Sequence, residues 1–153
     1  MAMSSTGNDE DRGLRVKIRL DFKGQAKPGR FLFGGKQVDK AAEEARDHHV
    51  ALLRNVPVQG VYIEDIDMSI EVYTVWDDIA NAEAAYAPVV LTVIAENIED
   101  LLRFITREEF RKIDIQEPGK IVLSSNELER LLFKINSEIK NYVGQLERKY
   151  NLR

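Results

Sequence analysis

Residues 15–23 read RVKIRLDFK, and this stretch decides the fold class. Its apolar side chains, Val16, Ile18, Leu20 and Phe22, alternate with lysine, arginine and aspartate. Because successive side chains of a β-strand point to opposite faces of the sheet, the alternation predicts a strand with one buried and one polar face. The other elements are therefore interpreted around this strand.

Two further segments indicate strands. Residues 88–95 (PVVLTVIA) are apolar in both phases, which predicts a central strand covered on both faces. Residues 58–77 also read as a strand, but their apolar phase slips near residues 64–66. A slip of one residue would turn the second half toward the wrong face, so we expect a bulge or a turn there.

Turn residues set the expectation for two other segments. Residues 113–115 and 121–123 flank Pro118 and Gly119, which predicts a β-hairpin, since Pro-Gly favours a type II turn. Residues 77–87 are expected to be a loop that leads into the central strand.

Two helices are predicted before the last segment. Asp39 is a plausible N-cap for the first, which must end near Asn55 because Pro57 disfavours a helical residue before it. Asn97 is expected to cap the second, with Asp100 three residues later in the pattern of a capping box.

The C-terminal segment predicts a long amphipathic helix that begins with a capping box at Ser124 and Glu127. Leu128 starts a row of apolar residues at alternating steps of four and three, the spacing of a coiled-coil seam. A helix of roughly 25 residues is about 38 Å long, more than a small domain can cover, so we expect a homodimer. The expected interface residues are Leu132, Ile135, Ile139, Tyr142 and Leu146.

The order of these elements predicts an α+β fold, a ferredoxin-like βαββαβ sandwich with helices packed on an antiparallel sheet. The order resembles that of the ACT domains, which are small regulatory domains, although the 15-residue segment 24–38 replaces their short glycine-bearing turn. We expect a disordered lead-in at residues 1–13, the sandwich at 14–124, and a helix at 125–153 that packs on the sandwich and on a partner protomer.

Composition excludes several classes of site. The chain has 153 residues and no cysteine, which excludes disulfides, thiolate zinc sites and a cysteine nucleophile. The net charge is −4, yet residues 11–40 carry nine basic against three acidic residues, and residues 41–100 carry two against thirteen. We expect these segments to lie side by side and neutralise each other. An acidic chain is a poor nonspecific nucleic-acid binder, and no apolar run is long enough to span a membrane, so a cytoplasmic protein is expected.

Two clusters are candidate binding sites. Lys27, Arg30 and Lys36, beside two glycines at the start of a helix, predict an anion or nucleotide site, with an exposed loop as the alternative. Asp65 and Asp67 would share one face of a strand and could chelate Mg²⁺ or Ca²⁺, with a solvated bulge as the alternative.

The tripeptide Asp47-His48-His49 is similar to the motif that names the DHH phosphoesterases, which use it to hold metal. Here it lies in the middle of a predicted helix, and Asp65-x-Asp67 follows it rather than preceding it. We therefore interpret His49 as a hydrogen-bonded core histidine, with a metal ligand as the alternative.

The aromatic residues Tyr62, Tyr73, Trp76 and Tyr86 are expected to belong to the core, with a pocket or an interface as the alternative. The common hydrolase and dinucleotide motifs do not occur in the sequence.

These patterns favour a non-enzymatic module that self-associates, with an unidentified small ligand or protein partner and no predicted cofactor. A metal-dependent hydrolase or transferase that uses Asp65, Asp67 and His49 is one alternative. An anion or nucleotide binder is the other.

Overall fold

The computed structural model describes residues 13–25 and 34–151, without the side chains of residues 34–36. The elements, in chain order, are β1 (Leu14–Gln25), α1 (Gly34–Asn55), β2 (Val61–Asp67), β3 (Tyr73–Asp77), β4 (Ala82–Ala95), a 3-10 helix (Ile98–Leu101) continued by α2 (Leu102–Ile105), β5 (Phe110–Glu117) and α3 (Ser125–Lys149). The α+β class that the sequence predicts is confirmed, as is the long C-terminal helix.

The strands form one five-stranded antiparallel sheet in the order β2-β4-β1-β5, and β3 also pairs with β4. Residues 84–86 of β4 pair with β1 on one edge and with β3 on the other. β2 and β3 therefore follow each other along the same edge of β4. The phase slip near residue 64 is confirmed, because the β2–β4 register shifts between Ile63 and Asp65.

The alternation of β1 produces the two faces that the sequence predicts. Val16, Ile18 and Leu20 have no exposed surface, and they pack in the main core with the buried row of β4. In the other row of β4, Pro88 and Thr92 are buried, whereas Val90 and Ile94 are half-buried. The central position of β4 is confirmed, but its complete coverage on both faces is not.

α1 begins five residues earlier than the predicted cap at Asp39. Val38 and Ala42 of its first turns are buried against Ala85 and Ala87 of β4. Gly24 of β1 lies so close to α1 that an added Cβ would stand 2.2 Å from the backbone nitrogen of Ala42. We infer that packing against these small residues, rather than an N-cap at Asp39, sets where α1 begins.

Two other predictions are corrected by the structure. The expected loop at 77–87 is wrong beyond the turn, since β4 already starts at Ala82. The expected hairpin is also wrong: β5 pairs with β1, and residues 118–124 form no strand. The segment after β5 instead leads into the capping box of α3, where Glu127 N donates to the Ser124 hydroxyl at 3.1 Å.

Candidate functional site

α3 leaves an apolar stripe uncovered. None of its 25 residues is buried. Large apolar side chains on one side of the helix, and the residue that follows it, are each 45% to 57% exposed: Leu128, Leu132, Ile139, Val143 and Tyr150. At about 100° per residue they lie within roughly 60° of the helix circumference. We call these five residues the outer stripe.

Ion pairs link both ends of α3 to its own domain. Near its start, Arg130 pairs with Glu99 at 2.8 Å, and at its end Lys149 pairs with Glu108 at 2.7 Å. The Tyr150 hydroxyl also donates to Glu108, at 3.2 Å. Exposed ion pairs of this kind contribute little stability, so they bind the helix to the domain only weakly.

The predicted interface residues differ in their exposure. Leu132 and Ile139 belong to the outer stripe, whereas Ile135, Tyr142 and Leu146 are half-buried. Tyr142 and Leu146 line a cleft against the domain of the same chain. The seam is therefore not one continuous exposed surface.

That cleft has a volume of about 400 Å³ and lies between α1, the segment from α2 to β5, and α3. His49 forms part of its wall. The imidazole stacks on Phe22 with ring centroids 4.6 Å apart, and its Nδ1 donates to the Ala45 carbonyl at 3.0 Å. The predicted hydrogen bond of His49 is confirmed, but the residue is half-buried at the wall of the cleft rather than inside the core.

Most charges in the cleft are paired. Arg107 bonds Glu109 at 3.3 Å, and the hydrogen bond to Glu108 raises the pKa of Lys149. Burial, with the nearby glutamate charges, raises the pKa of Tyr142, so its phenol stays protonated. Within the described residues, Arg103 has no ion-pair partner and is the cleft's uncompensated charge.

On the opposite face of the sheet, Asp21 is a buried carboxylate with 1% of its side chain exposed. Arg19 donates to it at 2.9 Å, the Tyr73 hydroxyl donates at 2.5 Å, and Arg111 lies 3.7 Å away. Burial and the hydrogen bond to Asp21 raise the pKa of Tyr73. Both carboxylate oxygens of Asp21 therefore accept hydrogen bonds from neighbouring side chains, which is typical of a structural role.

The predicted neutralisation between the basic and acidic segments is confirmed on this polar face. Arg15 of β1 pairs with Glu64 at 2.7 Å, and Lys23 pairs with Asp77 at 2.9 Å. Two basic side chains of β1 are thus paired with acidic residues from the other edge of β4.

Asp65 and Asp67 stand opposite Thr92 and Val90 of β4, two register positions apart on one face. Hydrogen bonds from Ser69 lower the pKa of Asp67. In the described part of the chain, no three His, Asp or Glu side chains are grouped closely enough to hold a metal ion. Asp65 lines a groove beside α1 and β2 that is separate from the cleft at His49.

The predicted anion site cannot be located. Lys27 and Arg30 lie outside the described residues, and so does the side chain of Lys36.

The aromatic residues separate into two groups. Tyr73 and Tyr86 are half-buried and stack with centroids 5.4 Å apart, whereas Tyr62 and Trp76 are exposed. The core interpretation is therefore wrong for Tyr62 and Trp76.

Sequence reasoning missed two features. Asp21 occupies an ordinary polar position of an alternating strand, so nothing distinguished it. Arg103 sits in a short helix, and only the dense mixture of charges at residues 107–112 hinted that a polar surface follows it.

No family model, no curated protein and no solved structure matches the chain. Among the residues described, no helix combines the length and apolar character needed to cross a membrane.

Proposed function

We propose that the protein is a non-enzymatic α+β module that forms a homodimer through the outer stripe of α3. The observation that carries this proposal is the absence of any buried residue in a 25-residue helix that has a continuous apolar side. A second copy is the favoured occupant because an apolar stripe is self-complementary, as a two-fold interface requires.

The size of the stripe indicates a weak dimer. It extends over residues 128–150, which is about 33 Å of helix. With a width of about 12 Å, it covers roughly 400 Å² per chain, below the ~800 Å² of a standard stable interface. Burying the exposed half of ten large side chains contributes about 10 kcal/mol, against an association cost of about 4–15 kcal/mol. At the lowest of these costs about 6 kcal/mol remains, which corresponds to a dissociation constant of tens of micromolar, so we expect dimers at tens to hundreds of micromolar.

Sedimentation equilibrium over a range of micromolar concentrations tests the proposal. The average mass should rise from one chain toward two as concentration increases. Ile139→Asp places a charge in the stripe and should remove this rise. Ile79→Asp is the matched control, since Ile79 is 99% exposed in the turn between β3 and β4 and should leave the dimer intact. A chain that stays monomeric throughout, or an Ile139→Asp variant that still dimerises, contradicts the proposal.

The topology is proposed to be ferredoxin-like, with β2 and β3 as two halves of one interrupted edge strand. Their successive pairing with β4 supports this. So does the interleaving of two units: β4 lies between β1 and the β2–β3 edge, while β1 lies between β4 and β5. A crystal structure in which β3 leaves this edge of β4 would overturn the assignment.

A further inference from the structure

The cleft beside α3 contains one cation that the fold does not use. Arg107 is bound to Glu109 and Lys149 to Glu108, while Glu138 pairs with Lys134 at 3.2 Å on the same helix. Among the described residues that line the cleft, these pairs leave Arg103 as the cation without an ion-pair partner.

Polar groups next to this charge are also uncommitted. Asn141 and Gln145 of α3 line the cleft, and neither side-chain amide has a hydrogen-bond partner among the described residues. The Tyr142 phenol, which also lines the cleft, adds a further donor. Together with Arg103 they provide donors that could surround a carboxylate.

Other parts of the lining are apolar or aromatic. Leu146 and the ring of Tyr142 belong to α3, and the imidazole of His49, backed by Phe22, belongs to α1. A volume of about 400 Å³ falls in the range of small-molecule sites. The paired carboxylates of Glu108 and Glu138 would repel a ligand with two or more negative charges.

We propose that this cleft binds a small organic monocarboxylate that carries an aromatic or aliphatic ring. The carboxylate lies at Arg103, and the ring packs between His49, Tyr142 and Leu146. The site uses the inner side of α3, so it goes beyond self-association through the outer stripe and does not depend on it.

The test is a titration of the ¹⁵N-labelled full chain with benzoate, followed by amide chemical shifts. Benzamide, which has the same ring without the charge, and inorganic phosphate, which has charge without the ring, are titrated in parallel. Benzoate should produce saturable shifts confined to residues 103–109 and 141–149. Benzamide and phosphate should each bind at least about tenfold more weakly, since a hydrogen bond to a charged group contributes roughly that factor or more.

Variants identify the residue responsible. Arg103→Ala should weaken benzoate roughly 10- to 100-fold, because it removes the charged donor. Arg103 is exposed, so the variant should fold. Arg54→Ala, which removes a surface arginine away from the cleft at the end of α1, should leave binding unchanged. Ile139→Asp should also bind benzoate normally, whether or not it dimerises.

Several results would overturn the proposal. These are the absence of saturable benzoate shifts, equal affinities for benzoate and benzamide, phosphate binding as tightly as benzoate, or an unchanged affinity in Arg103→Ala. Normal benzoate binding by a strictly monomeric chain would contradict only the self-association proposal, so the two failures are distinguishable.

Discussion

β1 and α3 are both amphipathic in sequence, yet the fold treats them differently. The apolar row of β1 is completely buried between the neighbouring strands and α1, whereas no residue of α3 is buried. The contrast shows that a regular apolar pattern predicts a strand or a helix, but does not predict whether other parts of the same chain will cover its apolar side.

The reason lies in what each element meets. β1 pairs with β4 and β5 along its length, and α1 covers its apolar row. α3 instead lies beside α2, a helix of only four residues, and touches Glu99 and Glu108 through ion pairs. A charged and short neighbour cannot cover an apolar stripe of about 33 Å.

The largest expected difference in the free energy of unfolding comes from replacing one large apolar residue by alanine in β1 and one in α3. Ile18→Ala in β1 removes a fully buried side chain and should lower the free energy of unfolding by about 2–5 kcal/mol. Leu132→Ala in α3 should change it by less than about 0.5 kcal/mol in dilute solution, where the chain is monomeric. Urea unfolding measures both, and equal losses would mean that α3 is part of the core.

A smaller loss is expected on the polar face of the sheet. Asp21→Asn removes the charge that Arg19, Tyr73 and Arg111 surround, and should cost about 1–3 kcal/mol. Asp65→Asn, at an exposed position of β2, serves as the control and should be nearly neutral in the same unfolding experiment. If both variants unfold alike, the Asp21 network does not stabilise the sheet.

Gly144→Ala tests whether α3 can be stabilised without a change in the proposed dimer. Glycine inside a helix is less stable than alanine by up to about 1 kcal/mol. An added Cβ at Gly144 would meet nothing closer than the Arg148 guanidinium at 3.8 Å. Slower amide hydrogen exchange in α3 is therefore expected, with no change in dimerisation, because Gly144 lies away from the outer stripe. A weaker dimer would instead place Gly144 in the interface.

The smallest expected effect concerns the ion pair between Lys149 and Glu108 at the end of α3. Burial acts to raise the pKa of Glu108, but hydrogen bonds from Lys149 and Tyr150 prevail and lower it. The stabilisation is therefore present at neutral pH and is lost as pH falls through the lowered pKa of Glu108. At the alkaline end it is lost as pH rises through the raised pKa of Lys149.

Lys149→Met should accordingly cost only about 0.2–1 kcal/mol at neutral pH and low salt, and almost nothing at an acidic pH well below the lowered pKa of Glu108. Thermal melts at the two pH values measure the difference. A loss that is the same at both would show that the lysine stem packs rather than pairs.

Local patterns predicted much of the fold. The alternation of β1, the bulge near residue 64, the end of α1 before Pro57 and the capping box at Ser124 are all present. Each depends on neighbours in sequence, so each could be predicted from one segment alone.

The errors occur where distant segments meet. Ala84, Ala85 and Ala87 have low strand propensity, which favoured a loop at 77–87. They are nevertheless in β4 and buried, and Ala85 and Ala87 are the small residues against which Val38 of α1 packs. The same contact moved the start of α1 away from Asp39.

The candidate site could be predicted only in part. Tyr142 and Leu146 were found as apolar helix positions, but only the docking of α3 shows that they face a cleft with Arg103. Which charges are paired depends on distances between segments that are far apart in the chain, and a single sequence does not contain them.

The α+β class, the two-faced strand and the long amphipathic C-terminal helix followed from the amino-acid sequence, because periodicity and capping act over a few residues. The tertiary structure alone decided which side of α3 remains exposed and which cation remains unpaired. Burial and ion pairing depend on neighbours that only the folded chain brings together.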